Sequence, residues 1–151
     1  MKNFLEVLDS NPRITVRVTV TAITDNGMPR ATVLINGVPL YDNLLESFWT
    51  GSAEVPLLEP LVIEVMMSGK QHDLERETAV CIQNVTVDQC QVIPRFSHLV
   101  QYTHEQGMGP ATNYLGFNGC WRLDTQRPFY QWWHDVTGQG WLLMPSVEPQ
   151  E

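Results

Sequence analysis

The sequence predicts a mainly β fold, an antiparallel β-sandwich with a short helix near the C-terminus. Three observations predict this class. Short segments alternate apolar and polar residues with a period of two, turn residues separate these segments at short intervals, and clear helical periodicity occurs only near the end of the chain. Short strands joined by tight turns are typical of two packed sheets, each burying one face against the other.

The first strand has the clearest pattern in the chain. In ITVRVTVTA, residues 14–22, apolar side chains occupy every second position, with threonine or arginine between them. Because successive side chains of a strand point to opposite faces, this pattern predicts one buried face and one face in water. Residues 1–11 are predicted to form an N-terminal arm that ends at the Asn11-Pro12 pair.

Turn residues then separate two further strands. Asp25-Asn26-Gly27 predicts a turn, since asparagine and glycine tolerate positive φ angles. The segment RATVLIN, residues 30–36, predicts a strand, and Asn36-Gly37 predicts a tight hairpin turn into VPLYD, residues 38–42.

The middle of the chain adds two longer strands around a charged loop. In PLVIEVMM, residues 60–67, leucine, isoleucine, valine and methionine share one face of a predicted strand. Residues 68–77 form the most charged segment and are predicted to be a loop. The next apolar run, residues 78–87, changes phase near Gln83-Asn84, which predicts a β-bulge there.

The C-terminal third is predicted to be less regular. Residues 95–110 lack alternation and are expected to form a long excursion, whereas residues 113–124 are expected to contain another strand. Pro128–Thr137 is predicted to be a helix that ends at Gly138, and residues 141–144 a final strand. The sequence thus predicts one sandwich domain of jelly-roll or lectin-like type over residues 12–144 and a flexible tail over 145–151.

The predicted helix concentrates aromatic side chains. Phe129, Trp132, Trp133 and Val136 have the spacing of one helix face. A large ring can bury ~150–250 Å², worth about 4–6 kcal/mol, so most of these rings must be covered. Three alternatives remain open: a plug on the sandwich, an interface with another subunit, or a platform on which a sugar stacks. The residues predicted to bind a ligand or partner are Tyr130, Trp132, Trp133, His134 and Trp141.

The composition excludes several classes of function. The 151 residues carry a formal net charge of −8 with only nine lysine and arginine residues, which argues against nucleic acid as a partner. No apolar stretch has the length of a membrane span. The chain contains no phosphate-binding or dinucleotide-binding glycine motif, no GxSxG and no HExxH, so the sequence predicts a protein that is not an enzyme.

The charged loop provides a candidate metal site. Asp73, Glu75 and Glu77 could supply oxygen ligands to a hard cation such as calcium. The loop lacks the spacing of an EF-hand, and charged loops are often simply solvated, so two alternatives stand: a calcium site, or no cofactor.

Residues 14–89 resemble the calcium-dependent xylan-binding β-sandwich modules. The likeness rests on the order of ITVRVTVTA, INGVPL, LVIEVMM and AVCIQNVTVDQ. It implies a sandwich that binds polysaccharide through calcium. In that family the apolar strand runs into an Asn-Asp pair that helps to hold the ion, whereas this chain has Met66-Met67-Ser68-Gly69 at that place. The acidic residues of the charged loop would then have to substitute.

The C-terminal segments YLGFNGCW and PFYQWWHDVTGQGWLL resemble segments of small structural proteins of tailed bacteriophages. This resemblance implies a non-catalytic virion component, such as a decoration, fibre or tail part, made in the host cytoplasm. Its partners would be copies of itself or other virion proteins. The alternative hypothesis is a carbohydrate-binding module, in the virion or the cytoplasm, that uses Tyr130, Trp132 or His134 as a stacking platform.

Overall fold

A computed structural model describes residues 12–138 of the chain, which form eleven strands, a 3-10 helix and an α-helix. In chain order the strands are β1 (Arg13–Thr24), β2 (Arg30–Ile35), β3 (Val38–Leu44), β4 (Phe48–Pro56), β5 (Pro60–Ser68), β6 (Thr78–Val87), β7 (Cys90–Ile93), β8 (Gln101–His104), β9 (Gly107–Gly109), β10 (Tyr114–Leu115) and β11 (Gly119–Pro128). The 3-10 helix covers Ser97–Leu99, and the α-helix α1 covers Phe129–Thr137.

The strands form two antiparallel sheets. The five-stranded sheet has the order β10-β6-β1-β4, with β7 also paired to β6, and the six-stranded sheet has the order β3-β2-β5-β11-β8-β9. Every strand pair between residues 12 and 138 is antiparallel. The predicted mainly β sandwich with a short C-terminal helix is therefore confirmed.

The core lies between the two sheets and follows the alternation of the sequence. From β1, Ile14, Val16, Val18 and Val20 are buried, and β5 buries the face that the pattern predicted. The buried members of β5 are Leu61, Ile63, Val65 and Met67. Both sheets contribute to one continuous hydrophobic cluster, as the sandwich class requires.

The predicted bulge in β6 is also confirmed. Thr19 pairs with Asn84 and the next residue, Val20, pairs with Ile82, so Gln83 is the extra residue in β6. The insertion explains the change of phase, because Ile82 and Val85 are both buried although two residues lie between them, whereas a regular strand places one residue between neighbours on the same face.

Two glycines take the backbone conformation that the turns require. Asn36 and Gly37 have φ angles of 50° and 81°, as a tight hairpin turn demands. Gly138 has a φ of 74° at the end of α1, and its N–H donates to the carbonyl of His134 at 2.7 Å. The bounds of the predicted helix are thus confirmed to within one residue.

The prediction of a long excursion over residues 95–110 is wrong. The segment contains the 3-10 helix and the β8–β9 hairpin, which extends the six-stranded sheet. Only Tyr102 in this hairpin is buried, so the side chains show no alternation even though the backbone pairs regularly. Short strands at a sheet edge can form in this way because their ladder depends on backbone groups.

Several predictions fall on parts of the chain outside the described residues. These are the N-terminal arm over residues 1–11, the strand over 141–144 and the tail over 145–151. The domain bounds therefore stay predictions. Between residues 12 and 138, no helix combines the length and the apolar character needed to cross a membrane.

Candidate functional site

The aromatic face of α1 packs onto the chain itself. Phe129, Trp132 and Trp133 are buried, with 0%, 8% and 5% of their surface exposed. The ring of Phe96, which precedes the 3-10 helix, meets Trp132 and Trp133 edge-on at centroid distances of 5.5 and 5.8 Å. The guanidinium of Arg95 lies 5.4 Å from the Trp133 ring. The helix therefore acts as a plug, with its aromatic side chains packed on Phe96.

The other predicted binding residues are placed differently. Tyr130 is half-buried and His134 is exposed, on the sides of the same helix. Trp141 lies outside the described residues. Trp132 and Trp133 offer little ring surface to a ligand in this arrangement, and the binding function of the five residues stays a prediction.

The three acidic residues of the charged loop have separate environments. The Asp73 carboxylate accepts the N–H groups of Glu75 and Arg76 at 2.8 and 3.1 Å and closes a turn. These backbone hydrogen bonds, chiefly that from Glu75, lower the pKa of Asp73. The Glu77 carboxylate instead bonds to Lys70 and Tyr114.

The acidic side chains of the charged loop do not come together as a metal site. Within residues 12–138, no group of three or more histidine, cysteine or acidic side chains could hold a metal ion. Met66 and Met67 belong to β5, with Met67 in the core, and they offer no carboxylate. Calcium sites in proteins take carboxylate oxygens among six to eight oxygen ligands, whereas the carboxylates of Asp73 and Glu77 have separate hydrogen-bond partners.

A cleft of about 410 Å³ opens beside this loop. It lies among the loop of residues 69–77, the β8–β9 hairpin and residues 110–117. We call it the Lys70 cleft. Its lining residues are Lys70, His72, Glu77, Tyr102, His104, Pro110, Thr112, Tyr114, Gly116 and Phe117.

Aromatic rings form one wall of the Lys70 cleft. The ring of His104 stacks on that of Phe117, with centroids 4.7 Å apart and an interplanar angle of 18°. The buried Tyr102 fixes the backbone of Phe117, because its hydroxyl accepts the Phe117 N–H at 2.9 Å and donates to the Phe117 carbonyl. Burial raises the pKa of Tyr102, so its hydroxyl keeps the proton that it donates.

Two glycines make room for these rings. A Cβ atom at Gly116 would lie 3.0 Å from a ring carbon of Tyr114, and one at Gly109 would lie 2.7 Å from Nε2 of His104. A side chain at either position would force the ring to move. Tyr114 itself remains 39% exposed at the cleft, which leaves ring surface for a ligand.

An ion pair lies beside the aromatic wall. The Lys70 ammonium bonds to the Glu77 carboxylate and donates to the Gly116 carbonyl at 2.6 Å. Only 5% of the Lys70 side chain is exposed. The amide of Asn118 holds the Lys70 backbone from both sides, accepting its N–H at 2.9 Å and donating to its carbonyl at 3.1 Å.

The pair is linked to the exposed ring by a further hydrogen bond. The Tyr114 hydroxyl donates to the second oxygen of Glu77. Burial alone would raise the pKa of Glu77, but hydrogen bonds from Lys70 and Tyr114 and the lysine charge outweigh it, so the pKa is lowered. Burial and the nearby carboxylate raise the pKa of Tyr114. Glu77 is therefore charged and Tyr114 neutral at pH 7.

The fold is similar to that of known carbohydrate-binding modules. The chain is similar to vCBM60 in complex with galactobiose, with a TM-score of 0.51, 13% identity, and 72% of this chain and 95% of that chain covered. It is also similar to a selenomethionine form of vCBM60, reported with a circular permutation that links two families of calcium-dependent carbohydrate-binding modules. That match has a TM-score of 0.50 and 14% identity, and covers 72% of this chain and 88% of the other.

The similarity shows the fold. At such identities it does not transfer any residue of a binding site. No protein-family model matches the sequence, and no curated protein matches it.

Sequence reasoning missed the Lys70 cleft because its residues come from three separate segments. Glu77 was singled out, but as a metal ligand, while Lys70, His104, Tyr114 and Phe117 were not. One local signal was present in NYLGFNG, residues 113–119, where two glycines lie beside two aromatic residues. Glycines beside aromatic residues allow a close approach of rings, although this signal does not show which distant residues face them.

Proposed function

We propose that the protein is a non-catalytic carbohydrate-binding protein that binds a sugar in the Lys70 cleft. The observation that carries the proposal is the cleft itself, in which aromatic rings lie beside a fixed donor and acceptor pair. The similarity of the fold to vCBM60, which binds galactobiose, supports the same conclusion. The expectation of a carbohydrate-binding module is thus favoured, with a binding surface other than the one on α1.

The chemistry of the cleft suits a sugar. One face of a pyranose ring is made of C–H groups that pack on aromatic rings, while its hydroxyl groups need hydrogen-bond partners. Tyr114 offers an exposed ring, and the stacked rings of His104 and Phe117 offer a second apolar surface. Lys70 and the Tyr114 hydroxyl, both bonded to Glu77, supply the polar groups that fix orientation, as is typical of ligand sites.

Binding without hydrolysis is supported by the carboxylates. Glycoside hydrolases that follow the common mechanisms place two carboxyl groups on either side of the scissile bond. Among the residues that line the cleft within positions 12–138, Glu77 is the one carboxylate, and Lys70 and Tyr114 hold it. A general acid would need a raised pKa, whereas the pKa of Glu77 is lowered.

Titration calorimetry with neutral oligosaccharides, including galactobiose and xylooligosaccharides, tests the proposal. We expect Tyr114→Ala to weaken binding about tenfold or more, because stacked rings contribute on the order of 1 kcal/mol beyond their buried area. Tyr130→Ala is the matched control, since it removes a tyrosine ring from α1. If Tyr130→Ala weakens binding and Tyr114→Ala does not, the platform on α1 is the sugar site and the Lys70 cleft is not.

A second candidate function, assembly with other copies of the chain, is supported by one side of the sandwich. Val38 and Leu44 of β3 and Phe48 of β4 are 61%, 48% and 63% exposed, and both strands are sheet edges. Exposed apolar groups on neighbouring edges are typical of association surfaces. The location of the protein, in a bacteriophage virion or in the host cytoplasm, stays a prediction. Assembly of this kind would be the first support for it.

A further inference from the structure

The burial of Lys70 calls for an explanation. Lysine is almost never fully buried unless it is paired, because removing an ammonium from water is costly. Here 5% of the side chain is exposed, while 39% of its partner Glu77 is exposed. A lysine on the surface would keep the loop soluble without the free-energy cost of removing its ammonium from water. The position of the buried charge next to a cleft is therefore consistent with ligand binding.

The hydrogen bonds of the pair leave capacity for a ligand. An ammonium has three N–H donors, and within residues 12–138 two of them are used, by Glu77 and by the Gly116 carbonyl. The Tyr114 hydroxyl donates its proton to Glu77, so its oxygen can still accept a hydrogen bond. Lys70 and Tyr114 both line the cleft, so a ligand there can use one donor of Lys70 and one acceptor of Tyr114.

This arrangement occupies the groups that a metal ion would need. Asp73 is committed to the N–H groups of a turn, and the Glu77 oxygens to Lys70, Tyr114 and the N–H of Thr78. A calcium ion placed beside Glu77 would have to displace the lysine charge. The ion and the ammonium are thus alternatives for the same carboxylate.

We propose that the Lys70 cleft binds a neutral sugar without a metal ion, through the ion-paired Lys70 and the aromatic wall. The proposal rests on the proposed carbohydrate-binding function. Lys70 donates to a sugar oxygen, Tyr114 accepts from an adjacent hydroxyl, and the C–H face of the sugar packs on the aromatic wall. The clamp that Asn118 places on the Lys70 backbone keeps the donor in position before binding, which reduces the entropy lost on binding.

The charges of the cleft favour a neutral sugar over an acidic one. Glu77 already neutralises Lys70, and the carboxylate of Glu105 lies 2.5 Å from His72 at the cleft. The chain as a whole carries a formal charge of −8. A uronic acid would bring a further negative charge to this surface, where the lysine among the described lining residues is already paired with Glu77.

The test measures affinity for the neutral oligosaccharides with excess EDTA and, separately, with excess calcium chloride. We expect the two dissociation constants to agree within about twofold, and galacturonic acid oligomers to bind at least about tenfold more weakly than the neutral sugars. Lys70→Met should weaken neutral-sugar binding about tenfold or more, because it removes a charged hydrogen-bond donor from the cleft. Arg76→Met is the matched control, since it removes a positive charge from the same loop without touching the cleft lining.

A second variant guards against a loss of folding. Lys70→Met leaves the Glu77 carboxylate without its lysine partner. The double variant Lys70→Met/Glu77→Gln removes both charges, and the melting temperature of the double variant shows whether the sandwich is intact. A folded double variant that binds as tightly as wild type overturns the assignment of Lys70.

The remaining outcomes separate this inference from the proposed function. Sugar binding that EDTA abolishes and calcium restores overturns the metal-free site but leaves the carbohydrate function standing. Tighter binding of the acidic oligomers overturns the neutral ligand class. Failure of every sugar to bind in either buffer overturns the carbohydrate function, and with it the inference.

Discussion

The side-chain hydroxyl of Thr125 takes the place of a backbone hydrogen-bond acceptor between β11 and β5. The register of β11 on β5 shifts between Asp124 and Pro128, and the Thr125 hydroxyl accepts the Leu61 N–H at 2.9 Å. Thr125 is buried, with 2% of its surface exposed. Thr125→Val keeps the shape but leaves that N–H unsatisfied, so we expect a loss of about 1–3 kcal/mol in the free energy of unfolding, measured by urea denaturation. Thr125→Ser keeps the hydroxyl and should lose less than Thr125→Val; an equal or larger loss would contradict this explanation.

Single residues also show what the sequence could and could not predict. The positive φ angles at Gly37 and Gly138 follow from local turn and helix-end chemistry, so the sequence predicts them. The environment of Glu77 does not follow in this way. Its proximity to other acidic residues in the sequence suggested a metal ligand, but its partners are a lysine seven positions earlier and a tyrosine from β10.

The loop of residues 69–77 is held to the sandwich by charge, which makes its contribution to stability depend on pH. The pKa of Glu77 in the fold is lowered from its ordinary value of 4.5, so the folded state favours the carboxylate. Its contribution is therefore present above about pH 4.5 and is lost as the pH falls through the lowered pKa. We expect wild type to be more stable than Glu77→Gln at pH 7, with the difference shrinking below pH 4.5.

Chemical denaturation of the two proteins between pH 3 and 7 measures this difference, and Glu75→Gln shows the effect of removing a carboxylate from the same loop. A difference between wild type and Glu77→Gln that does not shrink at low pH would contradict the Lys70–Glu77 pair as the anchor of the loop. The comparison needs no sugar, so it tests the ion pair independently of ligand binding.

At the level of elements, long strands with one buried face were predictable and the short β8–β9 hairpin was not. The alternation in β1 and the change of phase in β6 are imposed by the core, and both were visible in the sequence. The β8–β9 hairpin buries only Tyr102, so no pattern of apolar residues marks it. The aromatic stripe of α1 predicted the helix, and the burial of Trp132 and Trp133 places that stripe against the sandwich.

For the whole molecule, the sandwich was predictable but the Lys70 cleft was not. The fold follows from many local patterns that agree with one another, whereas the cleft depends on how loops from distant parts of the chain meet. Lys70, His104 and Tyr114 lie on three such segments. The sheet order places them together, and that order is a property of strand pairing that local spacing does not determine.

Because apolar side chains are exposed on the edge strands β3 and β4, we expect copies of the chain to associate there. Tyr41 of β3 and Trp49 of β4 pack at a centroid distance of 5.3 Å and connect the two edge strands, and Val38 of β3 and Phe48 of β4 are each exposed. We expect sedimentation velocity to show a homo-oligomer whose population increases with concentration. Phe48→Lys should shift the protein toward the monomer by placing a charge in the interface, with little change in melting temperature, because the ring is 63% exposed.

Leu74→Lys provides the control for this experiment. Leu74 is fully exposed on the loop of residues 69–77, so the substitution adds the same charge at a different apolar side chain. It should leave the oligomer intact if association uses the β3 and β4 edges. A protein that stays monomeric at every concentration contradicts the homo-oligomer. If Leu74→Lys disrupts the oligomer and Phe48→Lys does not, the interface lies beside the Lys70 cleft. Association would then compete with sugar binding.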